Sequence, residues 1–344
     1  MSTPSVSVVV CAYTLERWNE IVASVLSAAR QEPAPGELLL VVDHNPALVE
    51  RAERELVAQV PTLRVLASER KKGLSGARNT ALTAARGRVV VFLDDDAAAQ
   101  DGWLAALLWG YQDPVVVAVG GSATPVWPDG CDRPVTLPAA KGSGRGALDW
   151  VVGCTYDGQP EVTGPVRNLM GCNMSVLRDV AIGVGGFSED LGRVGKTPLG
   201  AEETELCIRI TEADPSAVIV FEPAARVRHH VSPDRMTWSY LLRRSYAEGL
   251  SKATVAATVG QDAALSTERG YVVHILPRAF ARGLGGAVAP GSGSRWASAL
   301  GSVAVVGALA WTAGGYARGR VARLTGRAPG RSRQGLTGVC GGPA

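Results

Sequence analysis

The chain has 344 residues, 46% of them hydrophobic, with 35 basic against 32 acidic side chains and a formal charge of +3. That length buries a sizeable core in one large domain or two modest ones, and the near balance of charge excludes a nucleic-acid binder driven by bulk electrostatics. Cys11, Cys131, Cys154, Cys172, Cys207 and Cys340 form no CxxC pair, which excludes a zinc-ribbon signature and a disulfide-stapled scaffold. No basic segment precedes an apolar stretch at the N-terminus, so a cytosolic chain with reduced thiols is the expectation.

Ser5 to Ala12 is an apolar run that opens onto Tyr13-Thr14 and predicts a first buried strand. Trp18, Ile21, Val22, Val25, Leu26 and Ala29 fall at helical spacing within Glu16 to Arg30, and Pro33, Pro35 and Gly36 end that helix. Glu37 to Asp43 predicts a second strand that finishes on a carboxylate. A helix from about Pro46 to Gln59 and a short third strand from Leu63 to Ala67 follow. A loop, Ser68 to Leu74, leads to a helix over Ser75 to Ala85, and Arg88 to Leu93 is a strand rich in β-branched residues. Strands alternating with helices across short loops indicate a mostly parallel, Rossmann-like sheet with right-handed crossovers.

Asp94-Asp95-Asp96 closes that last strand. Three consecutive carboxylates repel one another and are comfortable only in open water or around a cation. An acidic turn in solvent is the bland reading. The carboxyl end of a parallel strand, however, is where open α/β sheets bind ligands, and this favours a metal-diphosphate site.

A helix from Asp101 to Gly110 and a strand from Val115 to Gly120 continue the sheet. Thr124 to Gly164 is rich in Pro and Gly, an irregular excursion of the kind that forms the acceptor side of a cleft. Val166 to Val176 regains strand character, a helix starts at Arg178, and Glu202 to Ala213 predicts a helix with an acidic first turn. Ala217 to Phe221 is a strand, Thr237 to Lys252 a basic helix and Tyr271 to Leu284 an amphipathic helix. Trp296 to Tyr316 holds 21 uncharged residues, enough to cross a bilayer at ~1.5 Å per residue, although its Ala and Gly content makes it weakly hydrophobic. A buried or interfacial helix pair explains it too. The Trp and Tyr near its ends and the six arginines without an acid from Arg318 to Arg333 favour membrane attachment at the cytoplasmic face. The expected organisation is a nucleotide-binding α/β half (residues 1–120), a second half of the same domain (121–235), a helical C-terminal region (236–325) and a basic, Gly-rich disordered tail (326–344).

Several pieces fall into one order: an apolar strand into Cys11-Ala12-Tyr13-Thr14, Val42-Asp43-His44-Asn45, Gly73-Leu-Ser-Gly-Ala-Arg78-Asn79, Phe92-Leu-Asp94-Asp95-Asp96, and Glu202-Glu203-Thr-Glu205-Leu206. Over residues 5 to 235 the ordered set resembles inverting family 2 glycosyltransferases with the GT-A fold. Arg228-His229-His230 through Arg235, Arg243-Arg244, Tyr246 and Gly249-Leu-Ser-Lys252 also resemble the C-terminal part of bacterial members.

The resemblance implies a nucleotide-sugar donor, most often UDP-linked, and a hydroxyl acceptor such as a polyprenyl-linked or envelope glycan. It implies that Asp43 holds the base, that Ala12, Tyr13 and Thr14 form a loop over the nucleoside, and that Lys71, Gly73 and Arg78 lie near the nucleotide. Asp96 would be the direct ligand of Mg2+ or Mn2+, with Asp94 and Asp95 near ribose or metal-bound water. His229, preferred to His230, would join the metal or the diphosphate. Glu203 matches the general base and Glu202 its partner; a Glu stands where the family usually has Asp, so either the acceptor sits slightly further away or Glu202 serves instead. Structural alternatives stand beside several of these roles: a helix cap for Asp43, core packing for Tyr13, a solvated charge run for Lys71, and complementing a helix dipole for the Glu pair. Gly171-Cys172-Asn173 would line the donor-acceptor junction, and Trp127, Trp150 and Trp238 are sugar-stacking or core residues. The competing functions are a small-molecule (antibiotic) glycosyltransferase, a sugar-1-phosphate nucleotidyltransferase and an inactive membrane-associated scaffold.

Overall fold

The computed structural model describes residues 4–140, 142, 144–193, 199–288 and 295–325; the predicted disordered tail lies outside them. Strand β1 (Val6–Ala12), helix α1 (Trp18–Ala29), β2 (Glu37–Asp43), α2 (Pro46–Glu55), β3 (Leu63–Ser68), α3 (Leu74–Ala84) and β4 (Val89–Asp94) reproduce the predicted alternation. They are followed by β5 (Ala97–Ala99), α4 (Trp103–Trp109), β6 (Val116–Val126), β7 (Gly164–Pro165), β8 (Asn173–Leu177), α5 (Arg178–Gly183), α6 (Glu202–Ala213) and β9 (Val218–His230). The helices α7 (Trp238–Thr258), α8 (Gln261–Gly270), α9 (Leu276–Val288) and α10 (Arg295–Leu324) complete the described chain, with a π turn, Tyr271–Ile275, between α8 and α9.

One mixed sheet runs β3-β2-β1-β4-β8-β6-β9-β5, with β7 paired to β9. β3, β2, β1 and β4 are mutually parallel. Strand β6 does not follow β4 in space: β8 sits between them, antiparallel to both. Alternate residues of the same strands feed two cores. Val8, Val10, Leu38 and Leu40 pack with Ile21, Val25 and Leu48 on one face. Val9, Leu39, Val41 and Phe92 pack with Ala77, Ala81 and Leu206 on the other. Period-2 side-chain alternation with both faces covered explains why these strands read as continuous apolar runs.

Three departures from the predicted elements position the site. The triple alanine Ala97–Ala99 has low strand propensity, yet it pairs antiparallel with Val227 to His229. Strand β9 runs on past Phe221 to His230, the register jumping from Gly121↔Glu222 to Ser122↔Arg226 around Pro223. A proline has no N–H for the ladder, so it occupies a bulge, and the strand resumes beyond it. The run predicted as a strand over Val166 to Val176 shortens to β8, because the Asn173 N–H donates to the Met170 carbonyl in a turn (3.1 Å).

The C-terminal helices pack together through a third core containing Leu148, Val151, Tyr240, Leu241, Leu276 and Val305. Gly249 of α7 and Gly315 of α10 allow backbone-to-backbone contact, since a Cβ on either would collide with the facing main chain. Trp296, Val303, Val306 and Trp311 of α10 are exposed, with Val306 on the side opposite Gly315. Among the described residues α10 is the one helix long and apolar enough to cross a membrane, and 28% of its apolar window is buried.

Candidate active site

The carboxyl ends of β1, β2 and β4 open into a cavity of about 850 Å³, in the size range of small-molecule sites. One part of it is lined by Ala12, Tyr13, Asp43, Arg78 and the Asp94-Asp95-Asp96 triplet. Asp43 is buried; its Oδ2 accepts from the Gly73 N–H (3.0 Å) and its Oδ1 meets His44 Nδ1 at 2.7 Å. The cap of α2 is Asn45, whose Oδ1 accepts from the Leu48 N–H at 3.1 Å, so Asp43 is not committed to that role. Gly73, at φ 135°, starts α3 in a conformation that favours glycine.

Thr14 and Lys71 lie outside the cavity lining. The Thr14 hydroxyl accepts from the Glu16 N–H at 3.2 Å, capping the turn before α1. The Lys71 ammonium pairs with Asp190 at 2.7 Å on the surface, where such a pair contributes little. Tyr13 lines the cavity, with the Arg17 guanidinium 5.7 Å from its ring centroid.

The triplet is held among cations. Asp96 Oδ1 is 3.1 Å from His229 Nε2, and its Oδ2 receives Arg235 at 3.0 Å and Arg17 at 3.2 Å. Asp95 Oδ1 pairs with Arg17 at 2.8 Å, while its buried Oδ2 has no hydrogen-bond partner among the described residues. Burial alone would raise the Asp96 carboxyl, but His229, Arg235 and Arg17 outweigh it and hold it well below the usual range. Burial, with Asp96 and Asp94 adding to it against Arg17, pushes the Asp95 carboxyl up to about 7. Burial would lower His229, yet the adjacent Asp96 carboxylate wins and pushes the imidazole up to about 10.

The β5–β9 pairing brings His229 here. Ala97 is in register with His229, directly after the triplet. Strand alternation turns Ala225, Val227 and His229 inward and Arg226, Arg228 and His230 outward. One ligand atom each from Asp94, Asp96 and His229 lies within 4.8 Å of the others. Two carboxylates and an imidazole suit a hard or borderline divalent ion. The convergent oxygens of Asp94 and Asp96 with the His229 nitrogen, beside a buried Asp95 oxygen that has no hydrogen-bond partner among the described residues, fit a divalent metal, and His229 would ligate it as the neutral imidazole, releasing its proton.

Arg78 is only 1% exposed. Its guanidinium donates to Glu202 Oε1 (2.8 Å), the Gly171 carbonyl (2.9 Å) and Asp94 Oδ1 (3.2 Å), and it lies 5.3 Å from the Phe187 ring centroid. It therefore ties the metal-side Asp94 to the first residue of α6. Glu203 is half-buried and lines the same cavity. Burial and the neighbouring Glu202 push its carboxyl up to about 8. Among the described residues no cation pairs with Glu203, whereas Glu202 is held by Arg78. A proton acceptor with a raised value, free of an ion pair, has the character of a general base.

Gly171 and Cys172 line the cavity, while Asn173 is fully buried: it accepts from Trp103 Nε1 (2.8 Å) and donates to the Ala225 carbonyl (2.8 Å). Trp150 lines the cavity, and Trp127 and Trp238 pack against the third core. Arg17 is the residue that inspection of the sequence passes over. A cation at the N-terminal end of α1 opposes the helix dipole, and that local conflict is the signal that an acidic partner holds it.

Residues 7–184 match the family described as "Glycosyl transferase family 2". The glucosyl-dolichyl phosphate glucuronosyltransferase of Haloferax volcanii is 34% identical over 248 residues, which span 72% of this chain and 76% of that protein. The fold is shared with a mannosyltransferase from Pyrobaculum calidifontis solved with GDP-Man and Mn2+ (TM-score 0.54, 20% identity, 94% of this chain and 88% of that one). It is shared also with GalNAc-T7 solved with UDP, GalNAc and Mn2+ (TM-score 0.51, 15% identity, 80% and 57%). The mixed sheet with a metal-suited triplet at its strand ends is thus the GT-A architecture, and the chain belongs to glycosyl transferase family 2.

Proposed function

We propose that the protein is an inverting glycosyltransferase that uses Mg2+ or Mn2+ to move a sugar from a UDP-linked donor to a hydroxyl on a polyprenyl-phosphate-linked glycan. The observation that carries this reading is that Asp94, Asp96 and His229, fit to hold a metal, share one cavity with a half-buried Glu203 that has no ion pair among the described residues. Asp43 and the Ala12-Tyr13 backbone would hold the nucleoside. The metal, when bound by Asp94, Asp96 and His229, would supply charge stabilisation for the leaving diphosphate. Glu203 takes the acceptor proton as the hydroxyl attacks the anomeric carbon, and a single displacement inverts that carbon. Arg78 keeps Glu202 occupied and so leaves Glu203 as the base. The acceptor class is supported by the Haloferax relative, whose name specifies a glucosyl-dolichyl phosphate acceptor.

The test is nucleotide diphosphate release from a panel of nucleotide sugars with Mn2+ or Mg2+. Release with UDP-sugars that EDTA abolishes is expected. Pyrophosphate as product would show a nucleotidyltransferase instead, and silence across all donors and acceptors would show an inactive scaffold.

The exposed apolar face of α10, together with Arg318 and Arg323 at its end, supports attachment to the cytoplasmic face of an anionic bilayer. Because the opposite face is committed to α7 through Gly315, the helix would lie on the membrane rather than cross it alone. Val306→Asp combined with Trp311→Asp should move the protein from the membrane to the soluble fraction on cell fractionation. Unchanged membrane partition would contradict an in-plane α10.

A further inference from the structure

The cavity does not end at the catalytic carboxylates. A second lobe continues between α7, the π turn and α10, where Tyr271, Ile275, Leu276, Leu309, Ala313 and Tyr316 form its wall. A π turn is uncommon and is frequent at functional sites, and here four of its five residues line the lobe. The cavity lining also carries a ladder of charged side chains. Arg244 pairs with Glu248 (2.8 Å), Lys252 with Glu248 (3.2 Å) and Glu268 (2.6 Å), and Arg167 with Glu268 (2.9 Å). The ladder carries three cations against two carboxylates, and all five residues line the cavity. Arg244 lies beside α6, near enough to Glu203 for their charges to interact, and its guanidinium sits 5.7 Å from the Trp150 ring centroid.

From this arrangement we infer that the second lobe seats the acceptor's lipid phosphate, with Arg244 and Lys252 reading the phosphate and the wall from Ile275 to Tyr316 taking the first isoprene units. The inference rests on the glycosyltransferase reading and deepens it. An apolar wall alone would take any alkyl chain, and a cationic ladder alone any anion. Adjacent, and within reach of Glu203, they match an amphiphile whose phosphate lies between a chain and a sugar hydroxyl. Trp150, over which Arg244 stacks, lies where that sugar would pass.

Binding, which does not depend on turnover, provides the test. Titrate the full-length protein with farnesyl phosphate, farnesol and inorganic phosphate, following intrinsic tryptophan fluorescence. Wild type should bind farnesyl phosphate about 10- to 100-fold more tightly than farnesol, the span of a charge-assisted hydrogen bond, and inorganic phosphate only weakly. Arg244→Gln should remove that preference, and Arg244→Lys should restore part of it. Ala313→Phe, at an exposed lining position, should weaken both farnesyl ligands together. A thermal melt of each variant separates loss of binding from loss of fold. Equal affinity for farnesol and farnesyl phosphate, or a preference untouched by Arg244→Gln in a folded protein, would overturn the inference. Absent turnover with every donor would instead overturn the enzymatic reading, and the two failures are distinguishable.

Discussion

Asp94→Asn should lower sugar transfer by about three orders of magnitude at sub-saturating metal, with part of the loss recovered as Mn2+ is raised. Removing one charged ligand from a three-ligand site weakens the metal, and metal stabilisation of the leaving group contributes several kcal/mol to a displacement of this kind. Asp96 is the more obvious target and the poorer one. It is 6% exposed and is shared by His229, Arg235 and Arg17. Asp96→Ala would leave those cations facing one another in a buried site, at a cost to stability of ~3–5 kcal/mol. Its lost activity would then report unfolding as much as metal loss. The Asp94 side chain is 31% exposed and has Arg78 as its close partner, so Asn there keeps the shape and a hydrogen bond. Metal-dependent activity and the melting temperature, measured together on both variants, check this. Undiminished transfer by a folded Asp94→Asn variant at low Mn2+ would remove the triplet from metal binding.

The first hundred residues were legible largely because β1, β2 and β4 are buried on both faces, and such strands announce themselves as apolar runs, two of them closed by Asp43 and Asp94. What could not be read was set by contacts distant in sequence. Ala97–Ala99 has no intrinsic reason to be a strand until β9 is beside it. Likewise β9 looks finished at Phe221 until the bulge around Pro223 is tolerated by pairing with β6. Together these two surprises place His229 against Asp96. Arg78 was legible as a residue of the site, yet its contacts with Glu202 and Asp94, 124 and 16 residues away in sequence, make it a strut between the two carboxylate groups. The C-terminal helices show the same limit. Composition marked α10 as apolar without revealing that Gly249 and Gly315 press it against α7, or that its inner face closes the catalytic cavity.

Glu203→Gln should cost about 10²- to 10⁴-fold in transfer, the usual contribution of a positioned base, while making the protein more stable at pH 8. The two effects share a cause. Burial and Glu202 push the Glu203 carboxyl from its ordinary value of 4.5 to about 8, so the folded protein holds a proton that the unfolded chain gives up. Stability is then unaffected well below pH 4.5, falls as pH rises through the interval between the two values, and bears the full cost above about 8. Gln, neutral at every pH, removes that cost, so the variant's melting temperature should exceed that of wild type at pH 8 and converge with it near pH 4. Catalysis runs in the opposite sense: only ionised Glu203 accepts a proton, so wild-type kcat/KM should climb about tenfold per pH unit and level off near 8. Glu202 offers the contrast. Its carboxylate is already engaged by Arg78 at 2.8 Å, so Glu202→Gln should weaken transfer through misplacement of Arg78 and Asp94, and should keep a rising limb that moves to lower pH because the charge that helps raise Glu203 is gone. Should Glu203→Gln keep both its activity and the rising limb while Glu202→Gln loses them, the base is Glu202, and the raised carboxyl of its neighbour is a consequence of crowding alone.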